Sequence, residues 1–263
     1  MSRPSSQFDS PGSGCPAALP LDCYLLGRAD WDTVLGLQRR LAYEVGELPC
    51  PRMAFICCEH EELITVGRDG SRAHLRYESE PTDRQPLRVQ WVSRGGGCIH
   101  HGPGQLAIYP IVPLRCTGWS VGDYLRRFQA GLQGALNRLH YHTAVPSAGF
   151  GIWGHSGLLA AIGVAVRQET TVHGGFLNVN PVSQLARYVE TVAMPPHPGD
   201  SPVRRPMSSL LAERRVPITM NAVRAALIEG LSEVFQCGQV HIHAAHPMFP
   251  RPPEIAGESC AHV

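Results

Sequence analysis

At 263 residues, 43% of them hydrophobic, the chain is long enough to bury a sizeable core in one large domain or two small ones. A net charge of +1 supplies neither the basic field that nucleic acid requires nor a polybasic membrane patch, and no apolar run approaches the roughly 18–20 residues that span a bilayer. All 23 basic residues are arginine and none is lysine. Arginine can replace lysine on a solvated surface but not as a titratable amine, because guanidinium stays protonated.

Residues 1–19 are rich in Ser, Pro and Gly and carry no periodicity, so they read as a disordered lead-in. They also lack the apolar stretch of a secretory signal, which leads us to expect a cytoplasmic protein. Residues 21–26 read as a first strand, and Asp30 then caps a helix whose Trp31, Val34, Leu37, Leu41 and Val45 recur at helical steps. Residues 53–58 and 63–66 are strand-like, and His60 between them is expected to be solvated at a strand end. Two further strand-like runs, 88–93 and 106–114, flank a glycine-rich string. Ser120 and Asp123 form a capping-box pattern that opens a helix carrying Tyr124, Phe128, Leu132 and Leu136 on one face. Residues 141–157 read as a loop, 158–167 and 172–181 as strands, and 189–205 as an irregular Pro-rich stretch. Thr219 opens a last helix, after which the chain reads as a polar tail containing His241, His243 and His246. That tail is expected to be solvated rather than metal-binding, and the nine scattered cysteines suit neither a disulfide framework nor a zinc ribbon. The expected organisation is a lead-in over 1–19, one domain over 20–237 and a tail over 238–263.

The string at 94–105 reads Arg-Gly-Gly-Gly-Cys-Ile-His-His-Gly-Pro-Gly-Gln, with five glycines in twelve residues. Such a stretch lets a ligand approach backbone amides closely, with Arg94 and His101 at its edges. It resembles the signature of the lipoate-biosynthesis octanoyltransferase family, in which an Arg-Gly-Gly loop runs through His-Gly-Pro-Gly-Gln into a strand. Arg94, Gly95, Gly96, His101, Gly102, Pro103, Gly104 and Gln105 match, while Ile99 and His100 stand where the family usually has Thr and Tyr. Two further stretches follow in the family's order. Residues 158–167, with Ala161, Ile162 and Gly163, resemble its Lys-Ile-Ala-Ala-Ile-Gly strand, and 172–181, with His173, Gly174, Gly175 and Asn178, resemble its His-Gly-x-x-Leu-Asn-x-Asn strand.

The resemblance implies an α/β (mixed α+β) fold: a single biotin/lipoate-protein-ligase-like domain with a largely antiparallel mixed sheet and helices packed against one side. It implies transfer of an octanoyl group from octanoyl-acyl carrier protein to a lysine on a lipoyl domain of a 2-oxoacid dehydrogenase or glycine-cleavage protein. No cofactor or metal is called for. The substrate-binding set it suggests is Arg94, Gly95, Gly96, Gly97, Cys98, Ile99, His100, His101, Ala161, Ile162, Gly163, His173, Gly174, Gly175 and Asn178, with Arg68, Arg72 and Arg94 expected near the mouth.

Members of that family hold the acyl group on a cysteine whose thiolate a neighbouring lysine favours. Here the lysine position is Leu158, and the cysteine position falls on Thr191 or Val192. The chain has no lysine at all and no cysteine between Cys116 and Cys237, so no small shift of alignment restores either group. Cys98, beside His100 and His101, is the one thiol whose spacing would permit a relocated nucleophile. The expected outcome is impaired or altered acyl transfer; the alternative is a non-catalytic relative that binds octanoyl or lipoyl groups or their carriers.

Overall fold

The structure is a computed structural model that describes residues 18–47, 51–75, 87–145, 149–181 and 207–249. The expected lead-in lies almost wholly outside these residues, as do Thr191 and Val192.

Strand β2 (Met53–Glu59) explains the architecture. Its first six residues are all apolar and all buried, the pattern of a strand covered on both faces. Met53, Phe55 and Cys57 face one core, with α3 (Val121–Arg138) and α5 (Met220–Val234), whereas Ala54, Ile56 and Cys58 face a second, under α1 (Trp31–Glu47). Helices therefore cover both sides of the sheet rather than the one side expected. The alternation of β2, not the helix patterns, carries that information. All five apolar positions predicted for the first helix, from Trp31 to Val45, are buried in the α1 core.

The main sheet has seven strands in the order β10-β1-β2-β6-β9-β8-β7. The strands not yet placed are β1 (Leu21–Arg28), β6 (Gln105–Ile111), β7 (Gly151–Trp153), β8 (Leu158–Arg167), β9 (Thr170–Asn178) and β10 (Val240–His243). Pairing is antiparallel from β2 across to β7 and parallel at β10–β1 and β1–β2, which is the mixed, largely antiparallel sheet expected. A small sheet of order β4-β3-β5 joins β3 (Leu63–Val66), β4 (Arg88–Trp91) and β5 (Cys98–His101).

The caps fall where the sequence puts them. Asp30 Oδ2 accepts from the Thr33 amide, Ser120 and Asp123 form the full capping box, and Thr219 accepts from the Ala222 amide. Three segments differ from expectation. Residues 240–243, read as tail, add an exposed parallel edge strand beside β1, with His243 Nε2 3.1 Å from Asp22 Oδ1 and its ring stacked on Tyr24. Residues 151–153, read as loop, form the opposite edge strand, too short to show periodicity. The glycine-rich string is not one loop: 98–101 pair with β3, and a tight turn at 102–104 leads into β6.

Candidate functional site

The three resembling stretches meet at one place. The Gly95 amide donates to Val164 O at 3.0 Å, laying the 94–97 loop on β8. Glycine at 163 makes this possible, because a Cβ there would stand 2.5 Å from Gly95 O. Gly174 opposes Gly163 in the β8–β9 pairing, and a Cβ on it would meet Ile108 O at 2.0 Å. The close approaches expected at these glycines are thus filled by the protein's own backbone.

Arg94 turns inward and is buried. Its Nη2 donates to Thr65 Oγ1 (2.7 Å), Thr65 O (3.0 Å) and Gly97 O (2.9 Å), and its Nη1 to Gly95 O (3.0 Å). Burial draws its pKa down to about 10, which still leaves it charged at neutral pH. It is the clasp of its own loop rather than an arm at the mouth. Arg68 and Arg72 remain near the surface, and Arg68 Nη1 donates to Ser93 O at 2.7 Å. Arg94→Met removes four hydrogen bonds donated by one buried guanidinium, so it is expected to cost about 3 kcal/mol or more of stability in a denaturant titration.

From Arg94 a run of hydrogen bonds crosses the site in one direction. Thr65 Oγ1, having accepted from Arg94, lies 3.0 Å from His101 Nε2. His101 Nδ1 faces Gln105 Oε1 at 2.7 Å, so it must carry the proton, and Nε2 must accept from the threonine hydroxyl. Gln105 Nε2 then donates to His100 O and to Asn178 Oδ1, both at 2.9 Å, which fixes its amide orientation. Asn178 Nδ2 reaches Leu158 O at 3.5 Å. Every proton in this series points from Arg94 toward the carbonyl of residue 158, so each bond polarises the next. Burial first, then the neighbouring His60 imidazole and the charge of Arg94, keep His101 neutral.

His60 belongs to this buried polar group and is not solvated as expected. Its Nδ1 donates to Ala29 O at 2.9 Å, and its Nε2 accepts from the Tyr109 hydroxyl at 2.7 Å. Trp31 packs edge-on against it. Sequence reading missed Thr65, Tyr109 and Trp31 as site residues. Each looks like an ordinary strand or helix residue until β3, β6 and α1 are assembled around His101.

Leu158 is 3% exposed and packs with Ile99 and Phe176, with Trp153, Ala161 and Met207 around them. At the position where a lysine would stand there is therefore a closed apolar contact containing no cysteine. Ile99, at the family's threonine position, supplies part of it. Strand alternation separates Cys98 from this wall. Ile99 and His101 face the site, whereas Cys98 packs with Ile64 and Val66 on the other face, its thiol aimed at Ser71 O at 3.6 Å. Burial also raises the Cys98 pKa, so neither direction nor ionisation suits it as the relocated nucleophile. His100 shares that other face, toward Gly102 and Glu62.

His173 and Gly175 bound the site from β9. A Cβ on Gly175 would meet Ala161 O at 2.8 Å and the Phe128 ring at 3.3 Å, which sets β9 close against β8 and α3. His173 is buried, and its Nε2 lies 3.4 Å from Ser93 Oγ. Ile162 pairs with Gly175 across β8 and β9. The arrangement is a closely packed, polarised frame built around the buried Arg94. Among the described residues it offers no thiolate or amine to react with a ligand.

Comparison with known proteins places the chain in a family. Residues 30–232 match the lipoyl protein ligase A/B catalytic domain family. The chain belongs to that family. It is 33% identical over 154 residues to an octanoyltransferase from Syntrophobacter fumaroxidans, covering 58% of this chain and 67% of that one. It is 31% identical over 202 residues to an octanoyltransferase from Geobacter metallireducens, covering 77% and 87%. Among solved structures, a bi-partite lipoate protein ligase from Thermoplasma acidophilum superposes with a TM-score of 0.62 at 13% identity, over 88% of this chain and 89% of that one, a likeness of fold. Among the described residues of this chain no helix is long and apolar enough to cross a membrane, and no group of three His, Cys, Asp or Glu residues is placed to hold a metal ion.

Proposed function

We propose that this chain takes part in lipoate assembly by receiving an octanoyl or lipoyl group from a carrier protein without holding it as a thioester. The partners this reading calls for are octanoyl-acyl carrier protein and the lipoyl domains of 2-oxoacid dehydrogenase or glycine-cleavage proteins. Membership of the lipoyl protein ligase A/B family and octanoyltransferase relatives support the ligand class. The observation that carries the reading is Leu158, sealed against Ile99 and Phe176 at the lysine position, in a chain with no lysine to replace it. A hydrocarbon side chain can neither accept a proton nor lower a neighbouring pKa, and a threonine hydroxyl at 191 is a far weaker nucleophile than a thiolate. The polarised series from Arg94 to Leu158 O supports a frame retained for binding.

The test is incubation with octanoyl-acyl carrier protein, read both by a binding titration and by intact mass. Saturable binding with the chain at its unmodified mass is expected. A stable octanoyl adduct would overturn the reading in favour of covalent transfer, and absence of binding would overturn the acyl-site assignment.

A further inference from the structure

On the α1 side of the glycine-rich loop lies a cleft of about 150 Å³. Its walls come from α1 (Gln38 and Arg39), from the end of β4 and the residues after it (Trp91 and Ser93), and from the β8–β9 turn (Arg167 and His173). Among the described residues no carboxylate lines it. Arg39 and Arg167 are exposed, and neither forms an ion pair among the described residues. Arg68, bonded to Ser93 O, brings a third guanidinium to the rim. Two unpaired guanidiniums facing one small cavity repel each other unless an anion lies between them.

His173 gives a second, independent indication. It is 4% exposed, and its Nδ1 is buried with no hydrogen-bond partner among the described residues. A buried, unmatched imidazole nitrogen is costly and calls for an explanation. Its backbone is also in the left-handed region, at φ 61°, a conformation that a non-glycine residue adopts at a cost of about 1 kcal/mol or more. That conformation is held in place by the buried Gln38, whose Oε1 accepts the His173 amide at 2.8 Å. The strain therefore turns the histidine into the cleft wall, and a helix residue lining the same cleft secures it.

We infer that this cleft is a binding site for a small phosphate-bearing ligand, its oxyanion set between Arg39 and Arg167 above His173. Guanidinium forks match phosphate oxygens in geometry, and a dianion balances two arginines where a carboxylate would balance one. The half-exposed Trp91 ring at the rim offers an apolar face to the rest of such a ligand. This site does not depend on the acyl-binding reading.

Inorganic phosphate is the probe, titrated calorimetrically into the intact chain at ionic strength fixed with sodium chloride, with acetate as the comparison anion. Saturable binding at about 1 mM or tighter is expected, with acetate at least about tenfold weaker. The Arg39→Gln/Arg167→Gln variant changes only exposed side chains. It is expected to weaken phosphate binding at least about tenfold while leaving octanoyl-acyl carrier protein binding in place, so the two sites fail separately. The inference is overturned if wild-type protein gives no saturable phosphate binding, if the double variant binds phosphate as tightly as wild type, or if acetate matches phosphate.

Discussion

Leu158→Lys combined with cysteine introduced at Thr191 or Val192 is expected to convert this chain from one that stays unmodified by octanoyl-acyl carrier protein into one that forms an octanoyl thioester. A lysine at 158 would enter the apolar contact with Ile99 and Phe176, where desolvation pulls an ammonium pKa down toward the range of a useful base. The backbone at 158 is already fixed by Asn178 and by the Ser208 amide, which donates to Leu158 O at 2.9 Å, so the new side chain would start from an ordered strand position. A general base typically contributes about 10²–10⁴-fold, and the cysteine supplies the covalent route itself. Each single change is therefore expected to give no lasting adduct, and the pair to give one, read by intact mass and peptide mapping. Absence of an adduct in every combination would mean that the frame has lost more than its two reactive groups. An adduct on the unmodified chain, mapped to Cys98, would instead establish a relocated nucleophile despite the orientation of that thiol.

What the sequence reveals of this site and what it hides follow from the range of the interactions. The three glycine-bearing stretches are legible because close backbone approach demands glycine locally, and Gly163 and Gly174 each meet a carbonyl where any side chain would clash. Helix caps are legible because Asp30, Ser120 and Thr219 bond to amides within three residues. The direction of Arg94 is not legible. Its partners Thr65 and Gly97 lie on different segments, and only the pairing of β3 with β5 makes its loop a socket. The same holds for His60, whose sequence neighbours Glu59, Glu61 and Glu62 suggest solvent while Ala29, Trp31 and Tyr109 enclose it. The facing of Cys98 was available in principle from strand alternation, once 98–101 are read as a strand rather than as part of a glycine loop.

Acidification from pH 7 to pH 5 is expected to remove several kcal/mol of stability, well before ordinary carboxylates titrate. His60 and His173 are both neutral in the fold, with pKa values pulled from 6.5 to about 4, chiefly by burial. The arginines at 94, 167, 39 and 68 lower His173 further, whereas the bond to Ala29 O and the charge of Asp30 partly oppose the shift at His60. His100 and His101 move the same way for the same first cause. Below pH 6.5 the unfolded chain binds protons at these imidazoles while the folded chain does not. Stability is therefore complete above that pH and is lost progressively as pH falls toward 4, where the folded form begins to take up the same protons. By pH 5 the loss is roughly 2 kcal/mol for each of His60 and His173, a large share of the 5–15 kcal/mol typical of a domain. Urea titrations at fixed ionic strength across pH 7 to 5 measure this directly. His60→Gln keeps a polar group against Tyr109 but cannot titrate, so it should lower stability at pH 7 and flatten the slope by about one proton. A wild-type stability that stays level from pH 7 to 5 would show that these imidazoles are not held neutral, and with that the one-way series of donors from Arg94 through His101 would lose its basis.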